Sequence, residues 1–289
     1  MNAINEEKNR IKFLIIGDMH NRIQNVRKTL SKLKSEKFDY ILCCGDIVNI
    51  PTGDNANKKI IESYMPLMYN IFLELEKIAP IFWVPGNHDP YMYYTDTYEE
   101  VTSKSKNLHK KFEKIANNLY IVGLGGSTPI LSGGEWSKDF IPFKDIDYSK
   151  FKYTGYPYNS KSNDYIESDN MLVKDFNEVL NEGKKIWDNS QLIFLTHIGP
   201  LFAFTNCMEE EGDYLYLGSK NIGELFKNEE NCFLNIHGHS HLSDGFITVR
   251  PGKYIFNVGA NYNGNFGKLE IIKDKEGKWN IFSNSIESI

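Results

Sequence analysis

Asp18 and His20 stand two positions apart, directly after the apolar run at 13–16 and Gly17. The run reads as a buried strand, and Gly17 as the turn that ends it. Ligand chemistry in an open α/β sheet gathers just beyond the carboxyl ends of its strands. Both side chains are therefore expected where a site would form, although Asp18 taken alone could equally cap the following helix. The same grammar recurs along the chain. Gly45-Asp46 follows a second apolar run, Gly86-Asn87-His88-Asp89 a third, and Thr196-His197 and His237-Gly238-His239-Ser240-His241 close two later ones. Six of the seven histidines fall at these ends, a coincidence that scattered structural histidines would not produce. The seventh, His109, lies in a lysine-rich stretch and is expected on a solvated surface.

Residue type selects the chemistry. Carboxylate, imidazole and amide-oxygen donors without a thiolate suit borderline transition ions such as Mn, Fe, Zn, Co or Ni. They exclude a cysteine-based structural zinc site. About seven donors are too many for one catalytic ion that keeps an open position, but they suit two divalent ions sharing a carboxylate. Asp46, preceded by a flexible glycine, is the natural bridge. A pair of ions about 3.5–4 Å apart lowers the pKa of a bridging water and clamps the oxygens of an in-line displacement at phosphorus. Hydrolysis of a phosphate ester is the reaction this arrangement serves best.

Alternating elements would have to position these residues. Strands are expected at 11–17, 38–45, 80–86, 119–126, 191–197 and 232–241, with helices near 23–36, 56–78, 97–117, 166–186 and 220–227. This alternation makes a layered α/β sheet the leading architecture. Short tail strands (GFITVR, YIFNVG, FGKLEIIK, KWNIFS) read as hairpins forming a predominantly β second layer. Residues 127–165 break the pattern and form an insert of the kind that is usually either a functional lid or disordered. No linker splits the chain, so residues 1–289 are expected to form a single domain.

The ordered set D-x-H, G-D, G-N-H-D, H, G-H-x-H, from Asp18 to His241, resembles the calcineurin-like metallophosphoesterases. The resemblance implies a four-layer α/β/β/α sandwich of two mixed β-sheets, with a dinuclear metal site at the strand ends. By motif position, Asp18, His20, Asp46 and His241 would hold one ion, and Asp46, Asn87, His197 and His239 the other. His88 would not ligate. It would protonate the leaving-group oxygen or stabilise the transition state, while metal-activated hydroxide attacks phosphorus.

The chain departs from the phosphoprotein phosphatase branch, whose second motif is G-D-x-x-D-R-G. Here that stretch reads Gly45-Asp46-Ile47-Val48-Asn49-Ile50-Pro51. Asn49 can orient His88 but cannot stabilise its cation as a carboxylate would. The arginine that would grip a phosphate is missing, so a protein Ser/Thr phosphatase of that branch is disfavoured. Asn21, in place of a commoner glycine, tolerates a left-handed turn. Among four arginines only Arg22 adjoins a metal motif, and it could equally point to solvent. A site whose positive charge comes mainly from its ions suits a monoanionic diester, so a phosphodiester or nucleotide-like substrate is expected. The alternatives are a phosphomonoesterase, or a scaffold of this fold that binds proteins without turnover. Asp89 reads as a helix cap rather than an acceptor behind the ligands, and His237, which strand alternation would also allow as a third ligand of the last cluster, as a residue that is structural or supports the ligands from behind. Tyr91, Tyr93 and Tyr94, and Trp136, Phe140, Phe143, Tyr153, Tyr156 and Tyr158 in the insert, read as packing residues that could also wall a substrate pocket.

Composition sets the outer bounds. The chain is 41% hydrophobic and 25% charged, ordinary for a soluble globular protein. A formal net charge of −5 argues against general nucleic-acid or anionic-membrane binding. Neither a secretory h-region nor a membrane span is visible. Cys43 and Cys44 are adjacent in a strand and must point to opposite faces. With Cys207 and Cys232 they read as reduced thiols, which predicts a cytoplasmic location.

Overall fold

In the computed structural model, which describes residues 8–50, 58–94, 100–126, 158–159, 164–165, 172–187, 189–200, 203–210, 213–216 and 218–289, the first apolar run becomes β1 (Arg10–Ile16). Helix α1 (Ile23–Lys32) then leads to β2 (Tyr40–Cys43), and α2 (Lys58–Leu75) to β3 (Ile81–Trp83). The next strands are β4 (Ser105–Asn107), β5 (Lys111–Ala116) and β6 (Leu119–Leu124). The hairpin β7 (Tyr158–Asn159) and β8 (Asp164–Tyr165) is all that is described of the 127–165 insert. Helix α3 (Leu172–Gly183), β9 (Gln191–Thr196) and the hairpin β10 (Cys207–Glu210) and β11 (Asp213–Tyr216) follow. The chain ends with α4 (Lys220–Asn228), β12 (Cys232–His237), β13 (Gly245–Arg250), β14 (Lys253–Asn257), β15 (Asn265–Lys273) and β16 (Trp279–Ser288).

Two six-stranded mixed sheets result, in the orders β16-β15-β1-β2-β3-β4 and β13-β14-β12-β9-β6-β5. Strands β1 to β4 run parallel, as do β6, β9, β12 and β14, while the outer strands are antiparallel. Period-2 alternation sorts each central strand between two cores. Phe13, Ile15, Leu42 and Cys44 face Ile193, Leu195, Leu234, Ile236 and Phe256 of the other sheet. Leu14, Ile16, Ile41, Cys43 and Trp83 face the other way, onto Val26 and Leu33 beside α1 and Met68, Ile71 and Phe72 of α2. Behind the second sheet, Val122, Leu192 and Phe194 pack on Val179 and Leu180 of α3 and Ile222 and Phe226 of α4. Three cores separate four layers, helix, sheet, sheet and helix, and Cys43 and Cys44 do point to opposite faces.

Two expectations fail. The segment 97–117 is not a helix. Its described part forms β4 at one edge of the first sheet and β5 at one edge of the second. It has no helical apolar stripe, and its lysines suit edge strands, where charge discourages further pairing. The tail is not a second layer either. Strands β13 and β14 extend the second sheet, but β15 and β16 return to the first, where β15 pairs with β1. Alternation within a strand does not reveal which sheet it joins.

Candidate metal centre

The carboxyl ends of β1, β2 and β3 meet those of β9 and β12 across the gap between the sheets. Backbone bonds tie these loops together. Asp18 N–H donates to Gly45 O (2.9 Å), His20 N–H to Asp46 O (3.0 Å) and Gly238 N–H to His197 O (3.0 Å). The turns are tight enough to force left-handed backbone on residues that rarely adopt it: Asp18 (φ 50°), His20 (φ 42°), Asp46 (φ 50°) and His239 (φ 66°). Asn21 shares this conformation (φ 69°), as its residue type allowed. Gly86 is fixed by space. A Cβ there would lie 2.1 Å from Asp46 Oδ1.

Two groups of possible metal ligands result. Asp18, His20, Asp46 and His241 form one, and Asp46, His197 and His239 the other, the ligand atoms within each group lying within 4.8 Å of one another. Asp46 belongs to both. Asn87 joins the second group, its Oδ1 lying 2.9 Å from His197 Nε2. All seven residues singled out as ligands are thus brought together, with His88 beside them, its ring edge-on to His20 at 4.9 Å.

The donor set fits cations. His197 Nδ1 lies 2.7 Å from the Cys44 carbonyl, which assigns the proton to that nitrogen. In the neutral ring Nε2 then aims a lone pair at Asn87 Oδ1 and, at 3.4 Å, at Asp46 Oδ2. His20 Nε2 and His241 Nε2 face each other at 3.1 Å, 3.6 Å from Asp46 Oδ2 and 3.3 Å from Asp18 Oδ1 respectively. Nitrogen and oxygen donors converging in this way are what a divalent ion of borderline softness requires. Electrostatics point the same way. Burial opposes ionisation of Asp46, but His197, His88 and His20 hold its carboxyl well below the usual range. Asp18 is likewise held down against its burial, chiefly by His241. Burial would lower His197, yet Asp46 and Asp18 raise it to about 9, so without a cation the ring holds a second proton against Asp46, in the place a metal ion would take. Burial, then the charge of His197, pushes His239 down to about 3, keeping it in the neutral form that ligates.

Residues beside the ligands depart from expectation in four places. Asp89 is no helix cap. It is buried, and its carboxylate accepts from Ile47 N–H (2.9 Å), Val48 N–H (3.0 Å) and Gly86 N–H (2.8 Å), stapling the loop after β2 to the loop after β3. Burial, then the charge of Asp46, pushes its carboxyl up to about 8. Asn49 does not orient His88; its backbone pairs with the Asn21 side chain, and His88 Nδ1 is buried without a hydrogen-bond partner. His88 is instead held through its main chain, whose N–H donates to Asp46 Oδ1 at 2.8 Å. His109 is buried rather than solvated, and its Nδ1 accepts from Gly125 N–H at 3.0 Å. Arg22 points neither into the ligand groups nor simply to solvent, because its guanidinium lies over the Tyr262 ring.

His237 is structural, as its position suggested. Its nitrogens meet Gly238 O (2.9 Å) and Thr205 Oγ1 (3.0 Å). Tyr93 and Tyr94 are buried. The insert aromatics lie outside the residues whose side chains are described. Sequence reasoning missed the loop after β14, where Asn257 donates to Thr205, Ser240 and Ser243 carbonyls, and Asn261 and Tyr262 N–H donate to Gly17 and Asp18 carbonyls. The asparagine-rich run at 257–265 was the available signal, since Asn supplies local turn bonds.

Comparison with known proteins is consistent with this geometry. A family model described as calcineurin-like phosphoesterase matches residues 11–243. No curated protein sequence matches the chain. A dimetal phosphatase from Danio rerio aligns with a TM-score of 0.56 at 11% identity, over 96% of this chain and 98% of its own. A protein from Thermus thermophilus aligns at 0.55 and 15% identity, over 94% of this chain and 97% of its own. The NAD nucleotidase of Haemophilus influenzae aligns at 0.54 and 11% identity, over 97% of this chain but only 50% of its own. At these identities the alignments speak to fold alone.

The Asp89 staple generates a prediction. Asp89→Ala leaves three buried N–H groups without their acceptor, so chemical denaturation should show a loss of at least about 2 kcal/mol. Amide exchange at Ile47 and Val48 should accelerate more than exchange in β9. A uniform change across both sheets would mean that Asp89 does not act locally.

Proposed function

The chain belongs to the calcineurin-like phosphoesterase family, whose members are metal-dependent phosphoric ester hydrolases, and from that premise we propose a dinuclear hydrolase acting on a phosphodiester or nucleotide-like substrate. The observation that carries this reading is the sharing of Asp46 by two adjacent ligand groups. Asp18, His20, Asp46 and His241 would hold one ion; Asp46, Asn87, His197 and His239 would hold the other. When bound, two divalent transition ions, with Mn favoured, supply Lewis acidity and a water of lowered pKa for in-line attack at phosphorus. Asp46, common to both groups, would offset the repulsion between the ions. His197, its Nδ1 fixed by the Cys44 carbonyl, presents Nε2 in one orientation. His88 stands beside His20 and gives a proton to the leaving-group oxygen.

The diester preference rests on charge. Arg10 pairs with Glu270, Arg27 with Glu74, and Arg250 reaches the Lys227 carbonyl, so none of these three is spent on the centre. A dianionic monoester would call for such fixed charge. A single domain spanning residues 1–289 is supported by β15 and β16, which complete the sheet that β1 begins. Cytoplasmic location is supported by the free, buried Cys43, Cys44 and Cys232. No helix among the described residues is long and apolar enough to cross a membrane. The partner is a small phosphate ester rather than nucleic acid in general.

Three outcomes follow. Metal analysis should find two ions per chain, and Asp46→Ala should lose both ions and activity, because it removes the shared ligand. Retention of two ions at wild-type affinity by that variant would refute the bridge. Catalytic efficiency should be higher on bis-(p-nitrophenyl) phosphate than on p-nitrophenyl phosphate, best with Mn. A monoester preference under every metal tested would overturn the diester reading. His88→Asn should keep both ions yet slow turnover by roughly two to four orders of magnitude. That loss should shrink with better leaving groups, and an equal loss across leaving groups would exclude proton donation by His88.

A further inference from the structure

Arg22 immediately precedes α1, two positions after His20, and its side chain has an unusual commitment. Its guanidinium lies 4.7 Å over the Tyr262 ring, and one Nη donates to the Tyr262 hydroxyl at 3.1 Å. Among the described residues it has no carboxylate partner, unlike Arg10 and Arg27. The first turn of α1 holds no acidic residue, and Arg22 makes no side-chain cap bond. A cation at a helix N-terminus is unfavourable, and an exposed cation–π contact is weak. Local stability therefore gives no reason for an arginine here.

Tyr262, in contrast, is firmly placed. Its N–H donates to Asp18 O at 2.9 Å, and its carbonyl accepts from Asn25 Nδ2 at 2.8 Å. Asn25 Nδ2 also reaches Asn261 O at 2.9 Å. The ring stands edge-on to His20, with centroids 6.2 Å apart, and is 43% exposed. An aromatic post anchored to the loop of Asp18 and His20 thus carries a guanidinium at the rim of the ligand groups. The steps from His20 to Tyr262 (6.2 Å) and from Tyr262 to the guanidinium (4.7 Å) each exceed a hydrogen bond. Among the described residues Arg22 makes no hydrogen bond to a ligand candidate; its guanidinium contacts Tyr262, which in turn contacts His20.

We propose that Arg22, mounted on Tyr262, binds a second phosphate of the substrate, remote from the ester that is cleaved. This rests on the phosphoesterase reading of the centre and narrows its substrate to a nucleotide-like ester carrying an additional phosphate. Planar guanidinium matches a phosphate with two parallel N–H···O bonds, and the positive end of α1 adds to the attraction. Tyr262 limits the rotamers of Arg22, so fewer are lost on binding.

The test compares two chromogenic diesters with the same leaving group, thymidine 5′-(p-nitrophenyl phosphate) and its 3′-phosphorylated counterpart, in the Mn-loaded protein. Wild type should favour the 3′-phosphorylated compound in kcat/KM by about tenfold or more, the scale of one charged hydrogen-bond pair. Arg22→Met should bring the ratio near unity, and Arg22→Lys should retain part of it. No wild-type preference, or equal losses on both compounds in Arg22→Met, would overturn the proposal. A binding arm separates it from hydrolysis. In His88→Asn, calorimetry should show adenosine 3′,5′-bisphosphate binding more tightly than adenosine 5′-monophosphate, with Arg22→Met removing the difference. That result, if wild type turned over neither diester, would sustain the phosphate site while refuting the hydrolase reading; equal affinities would refute the site.

Discussion

Two neighbouring carboxylates, Asp18 and Asp46, are buried from solvent (0% and 1% exposed), and much of the molecule is arranged around keeping both ionised. An isolated buried carboxylate would take up a proton. Among the described residues no lysine or arginine is paired with either, so compensation falls to imidazoles and to cations from outside. His197 and His20 turn nitrogens toward Asp46, and His241 toward Asp18. Histidine is suited to this because it neutralises a carboxylate when protonated and shares a cation with it when not.

Holding those side chains at contact distance requires backbone that the residues would not choose. Four of the seven ligand candidates, Asp18, His20, Asp46 and His239, have positive φ, and left-handed backbone at a residue other than glycine costs about 1–3 kcal/mol. The conformations persist because rigid strands fix both ends of each loop and cross-loop hydrogen bonds fix the middle. Asp18 and His20 donate to the loop after β2, and Asp89 grips the loops after β2 and β3 together. Gly86 contributes by lacking a side chain, since a Cβ would occupy the place of the Asp46 carboxylate. Strain concentrated at these positions is intelligible only if the positions serve the site rather than the fold.

How far this could be read from the sequence divides along the range of the interaction. Glycine-terminated apolar runs are local signals, and so the central strands and the residues at their ends were legible. Asp89 was ranked as a cap above an acceptor beside the ligands because its partners Ile47 and Val48 lie in another loop, which its local sequence does not show. Lys111 to Ala116 was misread because a charged edge strand and a solvated helix face share a composition. Tyr262 was invisible for a topological reason. Its importance depends on β15 pairing with β1, which brings the loop before β15 beside Asp18, and strand order across a sheet is not written in alternation. The four-layer arrangement and the ligand division came from family resemblance rather than from residue patterns.

The two sheets divide the chemistry between them. Asp18, His20, Asp46, Asn87 and His88 follow strands of the first sheet, whereas His197, His239 and His241 follow strands of the second. Each ligand group takes members from both, so neither can assemble on one sheet alone. The spacing of the donors is therefore set by the apolar layer between the sheets, where Ile15 and Leu42 meet Leu195 and Ile236. Close-packed layers resist small changes in separation, which makes this core a gauge for the width of the centre. The coupling also runs the other way. A cation bound across the gap binds only the assembled molecule, and its binding free energy adds to the packing of the two sheets. Each candidate ligand group therefore depends on the same inner core that joins the two sheets.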